Sequence, residues 1–140
     1  MIAECADAIK SVDRWNWSKT IEFTAKHLEL PRSADELSEL VSEAKKHVRV
    51  VGTAHSFSDI ADTDGLHIAM DNMTDIVVDK QAMKVRFGAG VTYTMLIKAL
   101  KKEGMALPNL PSLPHLNVVG SVVTGTHGGG IELRAMATYV

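Results

Sequence analysis

Ser33-Ala34-Asp35-Glu36-Leu37-Ser38-Glu39-Leu40-Val41-Ser42-Glu43-Ala44-Lys45-Lys46-His47-Val48-Arg49-Val50-Val51-Gly52 changes from a helical period to a β-branched run without an intervening proline. Ser33, followed three residues later by Glu36, forms a capping box that satisfies orphan amides from both directions, so a helix starts here. Leu37, Leu40, Val41 and Ala44 recur on one face, and Lys45, Lys46 and His47 put positive charge at the negative end of the dipole. The spacing predicts that the helix stops near His47. Val48-Arg49-Val50-Val51 then reads as a short strand ending at Gly52.

Upstream, Thr20 to Leu30 partly alternates apolar with polar residues and carries Ile21, Phe23 and Thr24, which predicts a half-buried strand closed by Pro31. Thr20 to Gly52 is therefore strand, helix, strand, a unit whose strands normally run parallel. Residues 1–19 read as a lead-in, with Ile2, Cys5, Ala6 and Ile9 giving Met1 to Ser11 a loosely helical pattern. Downstream of the loop Thr53 to Gly65, strands are predicted at Leu66 to Met70, Asp75 to Val78 and Lys84 to Phe87. Turns fall at Asp71-Asn72 and around Lys80-Gln81. Leu96, Ile97 and Leu100 predict a second helix from about Thr92 to Glu103, closed by Gly104 as a left-handed cap. Leu107 to Gly130 holds three of the 4 prolines and half of the 10 glycines, the texture of loops that hold a ligand. Ala135 to Val140 reads as the beginning of a strand. No repeat, low-complexity tract or linker divides the chain.

A chain of 140 residues with 46% hydrophobic composition is one domain's worth of polypeptide and can bury a core. With 15 basic against 17 acidic side chains, a net charge of −2 and a pI near 6.3, it has no basic field for nucleic acid. The single cysteine, Cys5, excludes an intramolecular disulfide and a thiolate-rich metal site and fits a reducing cytoplasm. No apolar run reaches the roughly 18 residues that would span a bilayer, and Glu4 and Asp7 stand where a signal peptide would be basic and then apolar, so a soluble, unexported chain is expected.

Two segments stand out for chemistry. Gly52-Thr53-Ala54-His55-Ser56-Phe57 follows directly on a strand, placing backbone amides at a strand's carboxyl end, a location that favours a phosphate-bearing ligand. His55 there reads as an acid/base, a metal ligand, an attachment point, or a loop histidine bonded to backbone. In Gly120-Ser121-Val122-Val123-Thr124-Gly125-Thr126-His127-Gly128-Gly129-Gly130, glycines let backbone approach a ligand and hydroxyls can donate to anionic oxygens. An anion cradle and a ligand-free turn remain open alternatives. It is not a Walker loop, since the lysine is missing, and Gly88-Ala89-Gly90-Val91-Thr92-Tyr93 fails the dinucleotide fingerprint at its third glycine. His55, His115 and His127 lack metal-ligand spacing and have no nearby carboxylate pair, so no metal is expected. His27, His47 and His67 read as solvated or core-edge residues, and the 7 methionines as core filler.

Taken together, the segment 52–57, Leu107-Pro108-Asn109-Leu110-Pro111-Ser112-Leu113-Pro114-His115 and the segment 120–128 resemble the vanillyl-alcohol-oxidase type of flavoprotein. The resemblance is nearest to alditol and xylitol oxidases and more distant to gulonolactone and arabinonolactone oxidases, and it runs from Asn16 to Val140. It implies an α+β fold: a PCMH-type FAD-binding domain over residues 20–140, with a small βαβ-containing sheet over about 20–73 and the start of a larger mixed sheet from about 74. By the same resemblance FAD is the cofactor, and the histidine matching His55 is bonded to the flavin ring in covalent members. Ser56 matches the family's next serine, and the amides around Gly52, Thr53, Ala54 and Phe57 hold the pyrophosphate. Alditol oxidases commonly have glycine where Ala54 stands.

In the same relatives the residue matching Ser112 lies over the flavin and touches a substrate hydroxyl. Those matching Gly120, Ser121, Gly125, Thr126, His127 and Gly128 line the cofactor. Pro111 occupies a position near the flavin's reactive edge and points to an oxidase, while Gly129 stands where many relatives have serine. The implied reaction is hydride transfer from an alcohol carbon of a polyol or sugar lactone, with dioxygen reoxidising the flavin to give hydrogen peroxide. Family members place further catalytic side chains in a separate substrate domain, which is expected to be absent from these 140 residues. Three functional readings follow: the FAD-binding part of such an oxidase, a non-catalytic flavin or nucleotide module completed by a partner chain, and a degenerate fragment. An unfinished sheet is expected to favour self-association.

Overall fold

Strand β3, Leu66–Ala69, lies between β1, His27–Glu29, and β2, Val48–Val51, in an all-parallel sheet of order β1-β3-β2. The computed structural model describes residues 15–140, so the helical pattern read over Met1 to Ser11 lies outside the described residues. Register is set by Ile68, which is opposite Glu29 on one side and Val50 on the other and has no exposed surface. A strand with both neighbours parallel is buried on both faces, which accounts for three consecutive buried residues in β3, from His67 to Ala69.

Helix α1, Ala34–Glu43, forms the crossover between β1 and β2. Ser33 Oγ accepts the Glu36 N–H at 3.2 Å, and Glu36 Oε2 accepts the Arg32 N–H at 2.7 Å, one residue before the cap. The helix ends at Glu43 rather than near His47, because Ala44 is already extended (ψ 122°) to feed β2. The predicted strand over Thr20 to Leu30 shrinks to His27–Glu29. Residues ahead of it are instead tied by side chains, with the Thr24 N–H and hydroxyl both donating to the Asp62 carboxylate. Phe23, Val51 and Ala69 form the core of this half, with Leu28, Leu30, Ala54 and Ala61 against it.

The second half opens with an antiparallel hairpin, β4 (Ile76–Asp79) and β5 (Lys84–Phe87), turning through Met83 at φ 52°. Helix α2, Tyr93–Lys102, carries the predicted apolar stripe and ends at Gly104, whose φ of +71° is the expected left-handed cap. Helix α3, Val118–Val123, lies inside the stretch read as loop; its six residues are too few for an amphipathic period to show. Val91, Tyr93, Leu96, Leu100, Val118 and Met136 form a second core. The predicted strand at Ala135 to Val140 is a 3-10 turn, Met136–Tyr139, which delivers Met136 to that core. Gly90 joins the halves at close range: a Cβ there would lie 2.0 Å from the Met70 carbonyl oxygen. Truncating Ile68 to Ala is expected to cost about 2–5 kcal/mol of unfolding free energy, read from the midpoint of a urea melt at unchanged slope.

Candidate functional site

The carboxyl end of β2 runs into Gly52-Thr53-Ala54-His55-Ser56-Phe57, and this loop faces the start of α3 across a cleft of about 460 Å3. Of the residues singled out from sequence, Gly52, Thr53, Ala54, His55, Ser56, Phe57, Gly120, Ser121 and Thr126 line it. Segments that are far apart in the chain therefore form opposite walls. An adjoining cavity of about 310 Å3, which includes Gly90 and Thr92 in its lining, shares Gly52, Thr53, Asn117 and Gly120 with it. Pro111, Ser112, Gly125, His127 and Gly128 do not line either cavity. Gly125 instead takes a φ of +71° just after α3, and His127 Nδ1 donates to the Gly128 carbonyl at 3.0 Å.

The N–H groups of Thr53, Ala54, His55, Ser56 and Phe57 donate to no acceptor among the described residues. Successive unpaired backbone donors need a partner from water or ligand, and a run of them is the chemistry that suits an anionic group. Ala54 adopts φ 54°, a left-handed conformation that costs a residue with a Cβ about 1–2 kcal/mol, and the loop holds it nonetheless. Apolar walls complete the cleft: Val50, Phe57, Ile60 and Val123 are each more than half exposed. The Ser121 hydroxyl is committed elsewhere, donating to the Val118 carbonyl at 2.7 Å and accepting from Tyr93 at 2.6 Å. The Thr124 hydroxyl likewise donates to the Gly120 carbonyl.

Asn117 was not singled out from sequence, yet it joins the walls. Its N–H donates to Thr53 Oγ1 at 3.3 Å, its Nδ2 to the Ala89 carbonyl at 2.7 Å, and its Oδ1 accepts the Gly120 N–H at 2.8 Å as the cap of α3. The available signal was an asparagine immediately before the apolar pair Val118-Val119, a helix-start pattern. Gly52 lies against it, where a Cβ would stand 3.1 Å from Asn117 Cβ.

His55 and His115, separated by 60 residues, meet with Nε2 atoms 3.1 Å apart, so one ring donates to the other's lone pair. Trp17 stacks on His55 at a centroid distance of 4.3 Å and 20°. Burial, followed by the nearby His115, pushes His55 below the ordinary imidazole range. His67, read as solvated or core-edge, is instead buried at 3% exposure, with Nε2 donating to the Ala61 carbonyl and Phe23 edge-on to its ring. No group of three or more metal-ligating side chains gathers among the described residues. No helix among them is long and apolar enough to cross a membrane.

Unpaired amides beside exposed apolar walls suit a cofactor that carries both an anionic bridge and a flat ring, the chemistry of a flavin dinucleotide. Residues 25–140 match the family model described as FAD binding domain, and the chain belongs to that family. Among curated proteins it is 41% identical to alditol oxidase from Streptomyces sp. over 128 residues, covering 89% of this chain and 31% of that protein. To L-gulonolactone oxidase from Mus musculus it is 39% identical over 135 residues, 94% of this chain and again 31% of the relative. The chain thus spans about 31% of the length of these relatives. Among solved structures, cholesterol oxidase from B. sterolicum superposes with a TM-score of 0.70 at 22% identity, over 81% of this chain and 23% of that one, which establishes the shared fold.

Replacing Asn117 by Ala leaves the Gly120 N–H and the Ala89 carbonyl without their partner and is expected to destabilise the chain by about 1–3 kcal/mol, measured by chemical denaturation. A lowered His55 pKa means the unfolded chain binds more protons, so this contribution to stability is full above the ordinary imidazole pKa and is lost as pH falls through the folded value. Exchanging His115 for Ala should raise the His55 pKa toward the ordinary value, read by NMR titration of its ring protons.

Proposed function

We propose that the chain is the FAD-binding part of an oxidoreductase that oxidises a CH–OH group of a sugar alcohol or aldonolactone, with dioxygen as acceptor and hydrogen peroxide as product. The observation that carries this reading is the run of unpaired N–H groups from Thr53 to Phe57 in a cleft with apolar walls. Similarity to alditol and gulonolactone oxidases supports the reaction class. When bound, the flavin supplies the electron-pair acceptor for an alcohol hydride.

The residues of this chain act as binding and orienting groups. Amides of the loop 53–57 donate to diphosphate oxygens, and Gly52 and Gly120 keep the walls free of side chains there. Val50, Phe57 and Ile60 exclude water from one side of the cleft. His55 is the attachment point of a covalently held flavin: with its pKa lowered by burial and by His115, its imidazole is neutral near pH 7 and has a lone pair to bond with. Ser112, exposed on the loop that carries His115, contacts a substrate hydroxyl, and neighbouring Pro111 borders the reactive edge of the ring. Gly125, Thr126, His127 and Gly128 form the far rim of the cofactor site. The two cores correspond to two subdomains, about 20–73 and from about 74. Exposed Ile131 and Val140 favour self-association of this length of chain.

Expression in a flavin-replete host, acid precipitation and intact-mass measurement test the assignment. The expected result is a protein heavier by one FAD less two hydrogens, since attachment exchanges the imidazole N–H and a C–H of the ring's methyl group for an N–C bond with the two electrons passing to dioxygen, and flavin absorbance in the precipitate. His55→Ala should release all flavin on denaturation, and flavin retained on the denatured variant would refute His55 as the attachment point.

A further inference from the structure

The loop 53–57 is held from behind by two consecutive residues that line neither cavity, Asn16 and Trp17. The Trp17 N–H donates to the Ala54 carbonyl at 2.8 Å, and Asn16 Nδ2 donates to the Ser56 carbonyl at 2.9 Å. These two carbonyls are the ones on either side of His55. In a trans peptide the carbonyl and the following N–H point in opposite directions, and no cis peptide is present among the described residues. Fixing the Ala54 and Ser56 carbonyls toward the corner therefore turns the N–H groups of His55 and Phe57 away from it, and both residues line the cleft.

Asn16 is built for the task. It is 1% exposed, its Oδ1 accepts the N–H groups of Thr20 and Ile21 at 2.9 and 3.0 Å, and its Nδ2 also reaches Ser18 Oγ and Thr20 Oγ1. Its orientation is thus fixed by the surrounding turn before it meets the loop. Trp17 also stacks its ring on His55, whose Nε2 meets His115.

We propose that the Asn16-Trp17 corner is a positioning element of the cofactor site, which aims the His55 and Phe57 amides at the diphosphate of a dinucleotide. This deepens the proposed FAD reading and rests on it. A hydrogen bond from a neutral amide to a charged oxygen is worth enough that misdirecting one or two should weaken FAD binding about tenfold to a hundredfold. Asn16→Asp is the discriminating change: a carboxylate still accepts from Thr20 and Ile21, yet it has no hydrogen for the Ser56 carbonyl.

The experiment measures FAD affinity of the 140-residue chain by flavin fluorescence, together with its amide 1H–15N spectrum. His55→Ala serves as the background, so that attachment does not mask affinity. The expected result is downfield movement of the His55 (here residue 55 as Ala) and Phe57 amide protons on adding FAD, and loss of that movement with at least tenfold weaker binding in Asn16→Asp. Trp17→Phe and Trp17→Ala both keep the backbone N–H that the Ala54 carbonyl accepts, and in this background, which has no imidazole at residue 55 for the ring to stack on, both should bind FAD with near-parent affinity. FAD binding that leaves both amides unmoved, or unchanged affinity in a folded Asn16→Asp, would overturn the inference and leave the flavin reading standing. Should Asn16→Asp fail to fold, the movement of the two amides in the parent chain still decides. A folded parent that binds no FAD would remove the flavin reading and the inference with it.

Discussion

A single asparagine, through its backbone N–H on one side and its side-chain amide on the other, ties the two halves of the molecule together. Asn117 takes the Thr53 hydroxyl oxygen from the first half through its backbone N–H, reaches the Ala89 carbonyl of the second half through Nδ2, and starts α3 through Oδ1. Each of these groups would be costly to leave unpaired at this half-buried position. Because Gly52 lies against the same side chain, the distance between the loop 52–57 and α3, and hence the width of the cleft, is fixed by one residue. The close passage of Gly90 over the Met70 carbonyl makes a second, purely steric seam between the same halves.

Around that hinge of contacts the site divides its labour between backbone and ring chemistry. The unpaired donors are main chain, in a loop with Ala54 held at positive φ and the Ala54 and Ser56 carbonyls engaged by Trp17 and Asn16. The ring surface is a cluster of Trp17, His55 and His115, in which His55 stacks on the indole and its Nε2 meets that of His115. The neighbours that hold the His55 ring therefore come from distant parts of the chain.

Much of the first half was legible in the sequence because its signals are local. Ser33 and Glu36 announced α1, and the β-branched run announced β2 within one residue of its observed bounds. The hairpin and α2 were equally readable from alternation and from the Leu96, Ile97 and Leu100 stripe. What failed were elements whose conformation is imposed from elsewhere. Thr20 to Lys26 has strand-like residues but spends its hydrogen bonds on Asn16 and Asp62 side chains, and Met136 turns in 3-10 geometry because the core under α3 has room for its side chain. In the cleft, residues 52–57 and 120–121 were legible as small and polar groups after a strand or in a glycine-rich run. The pairing of His55 with His115 and the corner at Asn16 and Trp17 were not, since contacts across 60 and 40 residues leave no periodic trace.

The order β1-β3-β2 carries a consequence for how the chain acquires its shape. The middle strand is the last of the three in sequence, and among the described residues β1 and β2 make no ladder with each other, only with β3. No backbone ladder of this sheet can close until Leu66 to Ala69 has been synthesised and inserted between strands that came before it. Loop closure over such separations is entropically unfavourable and gains nothing until the insertion is complete, so the loop 52–57 after β2 is born without its supporting sheet. Nascent chains shorter than that strand should therefore show α1 as local helix but no protected amides in β1 or β2, and the loop acquires its shape as a late event of synthesis.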